Sequence, residues 1–490
     1  MPITLTPRER RGLWIAIAIL TTVRFVTLPL YPVMDTTESR YIEIARKMLE
    51  TGNWLTPQID YGVPFWGKPP LSMWLSAASM SAFGVNELAG RLPSLLLMLG
   101  CGAMVYVLGR ARAGRDEALL ATALFATTVL VFIAGGAVMT DESLALGTTL
   151  AMVGFWIAVE GSPSTRRAAG WTFFGGLAIG LMAKGPVALV LTFVPIGGWT
   201  LWTKSWRAVW NRLPWISGTV VTAALVLPWY LAAERATPGF LDYFIVGEHW
   251  MRFVQPGWKG DLYGTAHARP RGIIWLFWIA AALPWSLFAI GWLIRAATSR
   301  RHEIAALVRD RWQCYLLLWT VAPMLFFTMS GNILATYVLP GIPAFALLLA
   351  TLWRTDDADA RAFRVPARYV TAAAVILSVG FVGVLVAMRS QFETQFSNRA
   401  LVRAYESNRT DAAQRLIYVR TKPDSAVFYS RGKAVLVHDV AALQPVFADG
   451  PADFFALRKD DLAALPPTAR GRLLQVGEFG HYRLLQETRD

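Results

Sequence analysis

Three short stretches of the chain carry side chains able to do chemistry. Asp35-Thr36-Thr37-Glu38 places two carboxylates three residues apart, ahead of Tyr41, Ile44, Ala45, Met48 and Leu49 at positions i, i+3, i+4, i+7 and i+8. The spacing predicts a short amphipathic helix broken at Gly52-Asn53, with a face, Tyr41 and Trp54 included, suited to the membrane interface. Asp35 and Glu38 read either as a capping box or as a general base for an acceptor hydroxyl, and one residue can do both. Arg40 and Tyr41 are further candidates on the same segment. In Phe65-Trp66-Gly67-Lys68-Pro69-Pro70, a proline-stiffened loop presents one Lys among aromatics. That ammonium either snorkels to the headgroup level or binds phosphoryl oxygens as a compact donor.

Glu248-His249-Trp250-Met251-Arg252-Phe253 is followed by Lys259, Asp261, His267, Arg269 and Arg271. Basic and aromatic residues interleave here as an anionic lipid headgroup requires. Glu248, His249 and His267 permit a divalent metal but match no zinc spacing, so no metal is expected. Asp141-Glu142, Lys184-Gly185-Pro186 and Thr336-Tyr337 lie at the ends of apolar runs. Helix capping explains Asp141, whereas ionisable groups this close to hydrocarbon read as a site.

Such groups need elements to hold them, and composition says which kind. Of 490 residues, 55% are hydrophobic and 16% charged, with 21 Trp and 26 Phe and a mean hydropathy of +0.41. Soluble domains run near a quarter charged, so a soluble enzyme, a disordered chain and a nucleic-acid binder are excluded. The net charge of +14 belongs instead in cytoplasmic loops. Eleven apolar runs can cross a bilayer: 12–30, 92–109, 117–136, 142–159, 169–183, 186–202, 213–232, 272–294, 312–329, 332–353 and 367–388. With the N-terminus cytoplasmic, the Arg-rich loops Arg110 to Arg115, Arg166-Arg167, Lys204 to Arg212, Arg295 to Arg311 and Arg354 to Arg368 all face inward.

The loops 31–91 and 233–271 and the tail after residue 389 then face outward. No small-x-small cleavage site follows the first run, which predicts an uncleaved anchor. Cys101 and Cys314 each sit inside an apolar run and imply no disulfide. Residues 1–388 are expected to form the membrane domain and 389–490 a small α/β domain. The tail's strand-like segments are 416–420, 426–430, 434–438, 453–457 and 473–479.

Taken in order, Asp35-Thr-Thr-Glu-Ser-Arg-Tyr-Ile-Glu-Ile-Ala-Arg46, Gly52-Asn-Trp-Leu55, Gly67-Lys-Pro-Pro-Leu-Ser-Met-Trp74, Arg91-Leu-Pro-Ser94, Ala183-Lys-Gly-Pro186, Glu248-His249 with Arg252-Phe253, and Thr336-Tyr-Val-Leu-Pro340 resemble bacterial membrane glycosyltransferases. The likeness, over about the first 350 residues, is to the aminoarabinose transferases that modify lipid A and, more distantly, to protein O-mannosyltransferases. It implies an all-α polytopic GT-C bundle in the bacterial inner membrane, with interfacial helices in the first outward loop, a periplasmic tail, and a polyprenyl-phosphate-linked sugar as donor. The implied acceptor is lipid A, a glycan or a protein. The family's first-loop carboxylate, usually the Asp of an Asp-Glu doublet, is catalytic, and its Lys before Pro-Pro binds the donor phosphate. Here the doublet reads Thr37-Glu38 with the Asp displaced to Asp35, and the family's metal-binding Glu before the Lys is Gly67.

The resemblance thus assigns Asp35 or Glu38 to the acceptor proton and Lys68, Arg252 and His249 to the departing phosphate. Attack opposite that phosphate inverts the anomeric centre. The competing class is a polyprenyl-lipid flippase or small-molecule transporter, whose sites lie at the bilayer midplane. In this sequence the ionisable residues gather at one end of the spans.

Overall fold

The computed structural model describes residues 4–264, 267–352, 367–443, 445–448 and 452–488. They form two compact units. One comprises Met1–Val26, Asn53–Leu75 and Arg91–Val379; the other comprises Thr27–Gly52, Ser76–Gly90 and Gly380–Asp490.

The first unit is helical, and each expected span falls on helix. Among the described residues, five helices are long and apolar enough to cross a membrane: Glu87–Ala113, Asp141–Glu160, Trp215–Ala236, Ala335–Leu352 and Ala367–Ala387. Three runs are more broken than their hydropathy suggests. The 117–136 run divides into Arg115–Ala126 and Val129–Ala134, where the Thr127 and Thr128 hydroxyls turn back to the Ala123 and Leu124 carbonyls at 2.6 and 2.9 Å. The 272–294 run is two helices, Ile274–Ala281 and Trp285–Ser299, bent by 114°. The 332–353 run opens with a 3₁₀ segment, Ala335–Gly341. The short 169–183 run, by contrast, belongs to a 22-residue helix, Pro163–Lys184. It ends at Gly185 with φ +71°, and a separate helix starts at Val187. Except for Ala367 and Arg368, the Arg354 to Arg368 loop lies outside the described residues.

Glycines set the packing that later matters for the site. Helices Asp141–Glu160 and Pro163–Lys184 form a hairpin across Gly161-Ser162. A Cβ at Gly147 would lie 2.6 Å from the Gly180 nitrogen, and one at Gly154 would lie 2.5 Å from the Phe173 nitrogen. Only small residues let two backbones approach so closely. The first residue of one helix is thereby brought to the last residue of the other.

In the second unit the tail forms a mixed sheet. A two-stranded ribbon of β1 (Gln58–Asp60) and β2 (Val63–Pro64) precedes it in the chain, within the first unit. The tail strands are β3 (Leu416–Val419), β4 (Ala434–Val437), β5 (Phe454–Arg458), β6 (Leu473–Phe479) and β7 (Tyr482–Glu487), in the order β4-β3-β5-β7-β6. β3 runs parallel to β4 and β5, whereas β7 runs antiparallel to β5 and β6. Successive residues of β3 feed opposite cores: Leu416 and Tyr418 pack with Leu401, Tyr405 and Phe454, while Ile417 and Val419 pack with Phe455, Leu457 and Leu485.

The expected strand at 426–430 is wrong. These residues fall largely in the helix Asp424–Tyr429, the crossover that two adjacent parallel strands require. The tail does not stand by itself, since its unit also takes in the first-loop helix Thr37–Thr51.

Candidate active site

The first cluster belongs to the helical unit and is built around a cavity of 390 Å³. Lys68 reaches it from a loop pinned by aromatics. The Phe65 and Tyr263 rings pack 4.6 Å apart, the Trp66 amide donates to the Tyr263 hydroxyl at 2.9 Å, and the Trp66 indole donates to Thr237 at 3.0 Å. A Cβ at Gly67 would meet the Phe65 ring at 2.9 Å, so a side chain here would displace that ring. The Lys68 side chain is 12% exposed, too buried for a snorkelling role. Its ammonium donates to the Gly67 carbonyl at 2.7 Å and to the Glu248 carboxylate. Burial, with Arg252 adding to it, pushes the Lys68 pKa down despite Glu248.

Glu248 also accepts two bonds from Arg252, at 2.8 and 2.9 Å, and Asp261 stands 3.5 Å from the same guanidinium. Burial raises Glu248's pKa, but Lys68 and Arg252 outweigh it and hold the carboxyl below its ordinary range. The backbone here is a π-helix, Asp242–Met251, running into a short α-turn, Arg252–Val254. Wide helices of this kind recur at functional sites. The Asn332 amide clamps this turn by donating to the carbonyls of Arg252 and Gln255. The sequence singles out neither residue by itself: Asp261 stands there only as one member of the charged loop after Phe253, and Asn332 carries no signal.

A second cation comes from the glycine-notched hairpin: Lys184, at the end of one helix, pairs at 2.7 Å with Asp141, at the start of the other. Its ammonium also lies 4.2 Å from the centre of the Tyr337 ring. His249 lines the cavity, but its Nδ1 and Nε2 lie 2.7 and 3.0 Å from the carbonyls of Phe244 and Lys184. Burial, aided by Lys68, pushes its pKa down. The ring is therefore a strut, with no nitrogen aimed at a phosphate or a metal. Among the described residues, no group of three or more His, Cys, Asp or Glu is placed to hold a metal ion. Lys68, Lys184, Glu248, His249, Arg252 and Tyr337 share the cavity wall. His267 is not among its lining residues, and its carbonyl accepts the Ile333 amide at 3.1 Å.

The second cluster lies in the other unit. Glu38 accepts the Met34 amide at 2.9 Å, so the capping bond is made to Met34 and not to Asp35. Asp35 accepts four hydrogen bonds: from Ser39 Oγ at 2.7 Å, the Ser425 amide at 2.9 Å, Ser425 Oγ, and Asn398 Nδ2 at 3.3 Å. Burial raises its pKa against those bonds. Arg40 lies 3.6 Å from Asp424. The helix that carries Tyr41 does not offer its apolar face to lipid. Tyr41, Ile44, Ala45 and Met48 are buried in protein, and so are Glu43, Arg46 and Lys47 on the polar side, where Arg46 grips Glu43 with two bonds of 2.7 and 2.8 Å.

Burial pushes the Asp424 carboxyl up to about 6; Arg40 and Lys47 pull it down, while Asp35 and Glu43 push it up. The folded state therefore keeps a proton that an Asp near 3.8 has released. Stability falls as pH rises through this window and returns on acidification. Asp424 should make the full-length protein about 1 kcal/mol more resistant to denaturant at pH ~5 than at pH ~7.5. The Asp424→Asn protein should lose that increment, and an unchanged pH dependence in it would contradict the assignment.

The dolichyl-phosphate-mannose-protein mannosyltransferase family model matches residues 13–244. An undecaprenyl phosphate-alpha-4-amino-4-deoxy-L-arabinose arabinosyl transferase from Erwinia tasmaniensis is 32% identical over 66% of this chain and 56% of its own length. The enzyme of the same name from Enterobacter sp. is 33% identical over 64% of this chain and 54% of its own length. The chain thus spans little more than half the length of these curated relatives. The crystal structure of ArnT from Cupriavidus metallidurans bound to undecaprenyl phosphate superposes with a TM-score of 0.81 at 19% identity, covering 96% of this chain and 97% of that one. At that identity the likeness is one of fold.

Proposed function

We propose that this chain is one of the GT-C membrane glycosyltransferases that include the aminoarabinose transferases and protein mannosyltransferases, and that it moves a sugar from a polyprenyl-phosphate donor to an envelope acceptor: lipid A, a glycan or a protein. The observation that carries this reading is the composition of the cavity wall. Lys68, Lys184 and Arg252 face the cavity, with Glu248 in the wall and Asp141 and Asp261 behind as their counter-ions, while Val187, Val190, Ile245, Phe253, Phe326 and Phe327 supply an apolar stretch. Three cationic donors converging beside an apolar trough suit a lipid that is a phosphate at one end and hydrocarbon beyond it.

The ground state and the transition state make different demands on these cations. As the bond from the anomeric carbon to the phosphate oxygen breaks, negative charge grows on that oxygen. Lys68 and Arg252, held in place by Glu248, are positioned to meet it, with Lys184 behind. Glu248 keeps the two cations close together in the absence of phosphate. The acceptor proton passes to Glu38. Of the two first-loop carboxylates, Asp35 has its lone-pair positions filled by four donors, which leaves Glu38, one residue past the place of the family's catalytic Asp, where Thr37 stands. Attack from the face opposite the phosphate inverts the anomeric centre.

On this reading the N-terminus is cytoplasmic and the tail periplasmic. Alkaline phosphatase fused after Asp490 should be active, and fused within Arg300 to Arg309 inactive. The reverse pattern would mean that the orientation is wrong. Mass spectra of envelope lipids and glycans with and without the gene test the function itself. One sugar-sized mass should disappear on deletion and return with the wild-type gene, and identical spectra would defeat the proposal.

A further inference from the structure

We propose that the tail domain holds the first-loop helix in its working position, with Ser425 and Asn398 as the residues that position it. This inference rests on the reading of Glu38 as the base, because it says what holds that residue's helix in place. Asp35 immediately precedes Thr36 and the helix Thr37–Thr51, so fixing its carboxylate fixes the helix start on which Glu38 sits.

Ser425 gives Asp35 both its amide, at 2.9 Å, and its hydroxyl. Asn398 braces the arrangement from three sides. Its amide and Nδ2 donate to Ser425 Oγ at 3.0 and 3.1 Å, its Nδ2 reaches Asp35 at 3.3 Å, and its Oδ1 accepts the Tyr418 hydroxyl at 3.2 Å. The Asp35 amide in turn donates to the Phe396 carbonyl at 2.8 Å. A second fastening lies two residues upstream. The Tyr429 hydroxyl accepts the Val33 amide at 2.7 Å and donates to Glu87 at 2.9 Å, and Arg399 holds the same Glu87 oxygen at 2.7 Å. Ser425 and Asn398 are 0% and 8% exposed. Water therefore does not compete for these bonds, and losing one leaves a buried polar group unsatisfied.

The test uses the full-length protein in membranes, with undecaprenyl phosphate as the binding probe. Turnover is read as the rate at which the envelope mass lost on deletion is restored. Ser425→Ala should lower turnover about 10-fold, the scale of one buried hydrogen bond, while the Kd for undecaprenyl phosphate stays within about twofold. Ser425→Thr, which keeps a hydroxyl, should recover most of the loss. Asp35→Asn should fall by a similar factor, and the Ser425→Ala/Asp35→Asn double variant no further than the worse single one, because both break one contact.

A Ser425→Ala protein with wild-type turnover, or losses that multiply in the double variant, would overturn the proposal. So would an Asp35→Asn loss of 100-fold or more beside a mild Ser425→Ala effect, since Asp35 would then be the base itself. Glu38→Gln measured alongside separates the two readings. If it is silent while Ser425→Ala is impaired, the base assignment falls and the positioning role stands; the reverse pattern removes the positioning role alone.

Discussion

Glu38→Gln should lower transfer by 100-fold or more, the usual contribution of a general base, with little effect on folding. The choice of Gln isolates the chemistry. Glu38 accepts the Met34 amide at 2.9 Å, and a glutamine carbonyl can accept it equally well, so the helix start keeps its cap. What the amide cannot do is take a proton from an acceptor hydroxyl. Glu38→Ala, which loses both roles, should add a loss of stability of about 1 kcal/mol to the same loss of rate. Near wild-type transfer by Glu38→Gln would show that the acceptor is deprotonated elsewhere.

Lys68→Ala should weaken undecaprenyl phosphate binding by at least 10-fold, from the ~1.5–3 kcal/mol of a hydrogen bond to a charged group. The protein should still fold, since Glu248 keeps its two bonds of 2.8 and 2.9 Å from Arg252. Lys68→Arg should be only partly tolerated, because the loop around Phe65 and Gly67 leaves little room for a planar fork. The lowered Lys68 pKa has a pH signature: the ammonium loses its proton, and binding weakens, before the pH reaches the ordinary lysine value of 10.5. Binding by Lys68→Ala within twofold of wild type would remove the residue from the phosphate site.

Some of this was legible in the sequence because it is local. The amphipathic spacing after Asp35, the stop at Gly52 with φ +69° and the lysine between aromatics and prolines all follow from neighbours a few residues apart. The lipid-facing reading of the Tyr41 helix failed because composition cannot show that Arg46 and Lys47 satisfy Glu43, which lets the polar side be buried too. The segment 426–430 was misread because five alternating residues fit one strand and one helical turn alike. Asn398 and Ser425 left no sequence signal at all. A serine and an asparagine are ordinary in a polar tail, and their contacts with Asp35 span 363 and 390 residues. The hairpin pairing of Asp141 with Lys184 is intermediate: each residue stands out at the end of an apolar run, but the glycine register that brings them together across two helices gives no local signal.

The separation of 390 residues between Asp35 and Ser425 also sets a timetable. At roughly 5–20 residues per second of synthesis, the first loop is made some ~20–80 s before the serine that will hold it. Through that interval Asp35 has none of the hydrogen bonds that Ser425 and Asn398 will supply, and the start of the helix is unfastened. Asp35 acquires its Ser425 and Asn398 donors only once the tail has folded. A nascent chain stalled short of residue 390 should therefore expose its first loop to protease while its helical portion is already inserted.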